Sequence, residues 1–132
     1  MSTEIVREGP ESAVASSEAG LPAVMAPSDL CWAIVHMRAG ERVVINEALI
    51  SAYQRASSPH SIRALKSDIE AFDAWCQHTN RIALPATAET VADYLDARAG
   101  SGSRPASLSR YKASIAKIHQ LLDLKDPTPA AL

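Results

Sequence analysis

The chain has 132 residues, 47% of them hydrophobic and only 5% aromatic, with a formal charge of −2. That length holds one domain and a tail, and an alanine-rich, aromatic-poor composition favours packed helices over a β-sandwich. The near-neutral total excludes a polycation. Two widely separated cysteines, Cys31 and Cys76, exclude a disulfide framework or a cysteine metal site.

Residues 1–27 are rich in Ser, Ala, Glu, Gly and Pro without sustained periodicity, and read as a disordered tail. No basic flank precedes a long apolar run there, which argues against a secretory signal. The longest apolar run, Leu30–Val35, is far below the roughly 20 residues of a membrane span. A cytoplasmic protein with no membrane partner is expected. Residues 28–42 form a short apolar segment and connector, "SDLCWAIVHMR" and its sequel. The segment reads equally as a short helix laying Trp32 on the domain or as a strand-like extension.

Residues 43–132 predict a helical domain. A first helix covers about 44–56, with Leu49, Ile50 and Tyr53 on its buried stripe. Pro59 in "SSPHS" breaks the chain. A second helix, about 60–79, spaces Ile62, Leu65, Ile69, Phe72, Trp75 and Cys76 by threes and fours, the signature of one buried helical face. Arg63, Ser67 and Glu70 take the opposite face, with Lys66 on the flank. "NRIALPAT" ends it, and Thr87 caps a third helix, about 88–99, burying Val91, Tyr94 and Leu95. After the loop "GSGSRPAS", a fourth helix, about 106–124, repeats the spacing through Leu108, Tyr111, Ile115, Ile118 and Leu122, and "KDPTP" stops it. The fold class is therefore all-α, a bundle of crossed helices.

Charge is unevenly placed. Residues 1–41 carry six acids against two basic residues, net −4, while 42–132 carry eleven basic residues against nine acids, net +2. The second helix opens with His60, Ser61, Arg63, Lys66 and Ser67, and the fourth with Arg104, Ser107, Arg110 and Lys112. Helix N-termini are electropositive and offer free N–H groups, so such ends suit phosphates, and an outward Arg can reach guanine edges. Asp68 is expected on the far edge of the second helix, and Asp73, Asp93, Asp96 and Asp123 are expected to face away. The same pattern also reads as ordinary solvated helix faces.

Enzyme motifs are weaker. "HSIR", His60–Arg63, spells His-x-x-Arg, but two fixed letters in four arise readily by chance. No Gly-rich phosphate loop, no Ser/His/Asp order and no clustered metal ligands occur, so no catalytic residue, cofactor, metal or small-molecule substrate is expected. His119 reads as a core-edge histidine, and Trp75 and Tyr111 as core side chains rather than stacking platforms.

The order of these pieces carries a resemblance. A Ser-rich helix start leads to "D…F…WC", then "LPA…ETVADYL", then "S-L-x-x-Y-x-x-x-I-x-x-I-H" and "L-x-D-P-T". Over about residues 43–130 the chain resembles the N-terminal core-binding domain of tyrosine recombinases, the phage-integrase family, and most the Cre-like members. The resemblance implies an orthogonal bundle of four helices, or of five, SAM-like, that clamps one face of double-stranded DNA at a recombination site. In that family the second and fourth helices lie against the major groove. Carried over, Ser61, Arg63, Ala64 and Ser67, and Ala106, Ser107, Arg110 and Ser114, would meet groove or phosphate. Ala64 and Ala106 depart from the longer side chains usual there. Arg104 and Lys66 join the set on charge alone.

The first helix is implied to meet neighbouring recombinase protomers, giving Leu49, Ile50 or Tyr53 an exposed role. The family's cutting residues lie in a separate C-terminal domain, so Tyr53, Tyr94 and Tyr111 are not the nucleophile. On this reading the chain is the non-catalytic front portion of a longer phage or bacterial recombinase, making about four to six phosphate contacts. A helical protein–protein interaction module without DNA binding is the rival expectation.

Overall fold

A computed structural model describes residues 29–129; the tail expected over 1–27 lies outside them. Five helices follow in order: α1 (Asp29–Val35), α2 (Glu47–Ala56), α3 (Pro59–His78), α4 (Ala88–Gly100) and α5 (Pro105–Leu121). Among the described residues the only β-type pairing is an isolated bridge between Ala39 and Leu84. The fold is all-α, with the four predicted helices as α2–α5 and one more before them.

The undecided segment is α1. Leu30, Cys31, Ala33 and Ile34 are buried, and the Leu30 N–H donates to Gln54 Oε1 at 3.0 Å, tying α1 to α2. Trp32 does not lie on the domain: it is 58% exposed, its ring tilted against that of His36 at 4.5 Å. α2 starts three residues later than its apolar pattern suggests, because Asn46 is the N-cap and accepts from the Leu49 N–H. Its stripe is also narrower than expected. Ile50 is fully buried, Tyr53 half-buried, and Leu49 48% exposed.

Ser58 caps α3 and Pro59 occupies its first turn, where a missing N–H costs nothing. Ile62, Leu65, Ile69, Phe72 and Cys76 are buried as the spacing predicts, and Trp75 is half-buried. Asn80, at φ +58°, ends the helix, with the Arg81 N–H bonded to the Cys76 carbonyl at 2.7 Å. α5 stops the same way and earlier than predicted. Asp123 has φ +54°, and the Leu124 N–H reaches the His119 carbonyl at 2.8 Å. The core joins Phe72 and Trp75 of α3 to Tyr94 of α4 at 5.0 and 5.4 Å, with Tyr111 of α5 at 6.4 Å.

Two buried polar joints hold the connections. Asp73, expected to face away, is buried instead: one carboxylate oxygen accepts the Arg38 N–H at 2.6 Å and the other accepts Gln77 Nε2 at 2.7 Å. Arg38 in turn offers its carbonyl to the N–H groups of Ala83 and Leu84. His119 is fully buried, not at the core edge. Its Nε2 accepts the Ala86 N–H at 2.9 Å, so Nδ1 carries the proton and donates to the Ile115 carbonyl at 2.8 Å. Both ring nitrogens are thereby satisfied in the neutral form, and the α3–α4 loop is pinned to α5.

Burial pushes the His119 pKa below its ordinary 6.5, against smaller opposing effects of the Ile115 carbonyl and the Asp126 charge. As pH falls below about 6.5 the unfolded chain therefore takes up this proton before the folded one does. The contribution is complete above that pH and is lost as pH falls toward the depressed folded value. In urea unfolding, His119→Gln is expected to lower stability at pH 7.5 yet flatten the decline between pH 6.5 and 5.5. Parallel declines in variant and parent would rule out His119 as the source.

Candidate nucleic-acid interface

At 100° per residue, the apolar stripe of α3 occupies one side of the helix, and Arg63, Ser67 and His60 lie on the other. All three are exposed. Asp68 sits at the border of the stripe, about 140° around from Arg63, and faces α5. This differs from the expected far edge. The Asp68 side chain is 3% exposed and accepts three hydrogen bonds, all from α5. Arg110 Nη2 donates to Oδ1 at 2.9 Å, Arg110 Nε to Oδ2 at 3.1 Å, and Ser114 Oγ to Oδ2 at 2.7 Å. The two donor residues are four apart on α5, so one face of that helix presents both.

This joint re-sorts the candidate residues. Ser114 is buried with its hydroxyl committed to Asp68, so it offers nothing to a groove. Arg110 stays on the surface at 56% exposure, but its charge is offset by the carboxylate beneath it. Its guanidinium also lies 5.2 Å from the centre of the Tyr111 ring. Arg98 covers that ring at 4.9 Å and donates to the Tyr111 hydroxyl at 3.1 Å, which lowers the Tyr111 pKa and raises that of Arg98. Tyr111 is thus a half-buried platform for two arginines rather than a plain core residue.

Lys66 is half-buried and paired with Glu70 at 3.2 Å, on the flank of α3 turned from α5. Arg63 meets no acid among the described residues. Arg104 is exposed at the N-cap of α5, where its side chain makes no capping bond. Ser61 is exposed and receives a 2.9 Å bond from the Ser58 hydroxyl. Ser67 and Ala106 are exposed, Ala64 and Ser107 half-buried. Neither α3 nor α5 has an acid in its first turn. Arg63 and Arg110 accordingly do not touch. They bracket the exposed ridge of α3 that carries His60 and Ser67.

Sequence reasoning missed Asp68 as the organiser. The available signal was an acid at the edge of an apolar stripe, matched by Arg110 and Ser114 at helical spacing. Lys117, also passed over, places its Nζ 5.4 Å from the Tyr53 ring. Among the described residues, no group of His, Cys, Asp and Glu side chains could hold a metal. No described helix is long and apolar enough to cross a membrane.

The family model for the phage integrase N-terminal SAM-like domain matches residues 49–125, more than half of the chain. The chain belongs to this family. Neither a curated protein nor a solved structure matches it. The phage integrase match opens at Leu49 inside α2 and closes at Lys125 beyond α5. It therefore spans the whole Asp68–Arg110–Ser114 joint and leaves α1 outside.

The joint is asymmetric, and so is the cost of breaking it. Arg110→Ala leaves a buried carboxylate with a single donor, whereas Asp68→Ala releases a guanidinium already in water. Arg110→Ala is expected to cost about 2–4 kcal/mol, below the figure for a fully buried pair because Arg110 is half solvated. Asp68→Ala should cost about 1–2 kcal/mol, from the stranded Ser114 hydroxyl and lost packing. Urea denaturation at pH 7 measures both, and a reversed order would refute the assignment.

Proposed function

We propose that this chain is the duplex-DNA-binding, non-catalytic N-terminal module of a site-specific tyrosine recombinase, nearest to the Cre-like members of its family. Its task is to position the enzyme on a recombination site. The observation that carries this reading is the pair of acid-free helix starts of α3 and α5, on two helices joined through Asp68 in a domain of the phage integrase family. Free N–H groups there serve phosphates, and the exposed ridge of α3, with Arg63 and Arg110 on either side of it, serves a groove. Strand cutting is assigned to a separate domain of the parent enzyme.

The contact set is smaller than the basic residues suggest. Toward phosphates, Lys66 and Arg110 are already answered by acids of their own and Ser114 is buried, which leaves Arg63, Arg104, Ser61, Ser67 and Ser107 with the helix ends. About three to four phosphate contacts then replace the four to six expected from sequence. A second role, contact between protomers, finds support on α2, where Leu49 is 48% exposed and Val44 just before it 78% exposed. Those apolar side chains, with Trp32 and Val35 on α1, are also what a purely protein-binding module would display.

Fluorescence anisotropy with a mixed-sequence duplex separates the two readings. On the DNA reading, affinity falls about 40- to 150-fold between 50 and 200 mM salt, the range for three to four released counterions. Arg63→Ala reduces the salt slope by about one and weakens binding by about 1–3 kcal/mol if Arg63 reaches a base. Absence of binding at both salt concentrations, with a dimer by sedimentation, would transfer the assignment to the protein-binding module.

A further inference from the structure

We infer that Asp68 is a positioning residue for DNA recognition, fixing the Arg110 guanidinium so that its unused edge donates to a guanine. This rests on the DNA-binding reading above and deepens it. The carboxylate takes Nε and Nη2, the side edge of the guanidinium fork. Arg carries five N–H donors in a rigid plane, so Nη1 and the second hydrogen of Nη2 remain. These form the end edge, and no described residue occupies it. A guanine offers O6 and N7 as two acceptors at matching spacing in the major groove.

Three constraints hold that edge in one place. Asp68 grips the side edge, the Tyr111 ring supports the plane at 5.2 Å, and Ser114 holds Asp68 itself at 2.7 Å. Asp68 is 3% exposed, so the grip is shielded from water and salt, while Arg110 is 56% exposed and reachable from outside. An unrestrained arginine surrenders rotamer freedom on binding; one already fixed loses less per bond formed. The carboxylate also cancels the guanidinium charge toward phosphates. Arg110 is left as a hydrogen-bond reader with little sequence-independent attraction.

The test uses the 132-residue chain, Asp68→Asn, and a pool of random 20-base-pair duplexes selected by binding and then sequenced. The parent should enrich guanine at one fixed position by at least about fivefold, as a bidentate contact implies. It should also show a slowly exchanging Arg110 Nε–H signal by NMR without DNA. In Asp68→Asn that signal should vanish, the guanine enrichment should collapse, and the salt slope should steepen by about one as the freed charge meets phosphate. Retained enrichment with an unchanged slope would overturn the inference while leaving DNA binding intact. No binding by the parent would overturn both. Should Asp68→Asn fail to fold, Arg110→Lys keeps a cation over Asp68 but lacks the fork. Loss of the guanine column with folding intact then supports the inference, and its persistence refutes it.

Discussion

A carboxylate shut between two helices governs this domain. Asp68 has almost no access to water, and an unpaired ionised carboxylate in that position would be untenable. It is accommodated only where α5 brings Arg110 and Ser114 against α3 at the same time. Sliding α5 by one residue turns that pair about 100° away and strands the charge. Apolar packing tolerates small shifts between smooth stripes, but a buried ion with three specific donors does not. The position of α5 on α3, and with it the spacing of their two N-terminal ends, follows from that requirement.

The same logic recurs at smaller scale. Asp73 receives the backbone of Arg38 after α1, and His119 receives the backbone of Ala86 before α4. Each joint attaches an irregular connection to a long helix through a backbone N–H that lies outside the helical ladders. Polar side chains in the interior thus specify placement, while the apolar stripes supply the bulk of the stabilisation. Arg81 is likewise drawn to Asp93 at 2.7 Å and to the Trp75 ring at 5.0 Å. Counting basic residues therefore overstates the charge presented to a polyanion. Several of the eleven after residue 41 are already answered by acids or rings.

What the sequence disclosed divides along physical lines. The stripe of α3, the cap Thr87 and the break at Pro59 are local signals, and each stands where periodicity and capping chemistry place it. Trp32, Leu49 and Ser114 went the other way, because their burial depends on partners distant in the chain. Leu49 has the hydrophobicity of a core residue but no helix over it; Ser114 has the look of a surface hydroxyl but a carboxylate 46 positions away to satisfy. Asp68 was misjudged for the same reason. An acid on the border of a stripe faces either water or a neighbour, and only the neighbour's identity decides.

A cation paired to a buried acid changes how a DNA-binding surface divides its work. Free lysines and arginines raise affinity for every sequence alike, since they answer phosphates. Pairing Arg110 with Asp68 subtracts from that general attraction but leaves the donor edge that distinguishes one base from another. On the proposed reading, general affinity falls to the few unpaired groups, chiefly Arg63, Arg104 and the helix ends, while discrimination is concentrated at one rigid side chain. A positioning module benefits from that division. Its usefulness depends on the ratio of specific to non-specific binding rather than on strength alone, and lowering the denominator raises the ratio as surely as adding a contact.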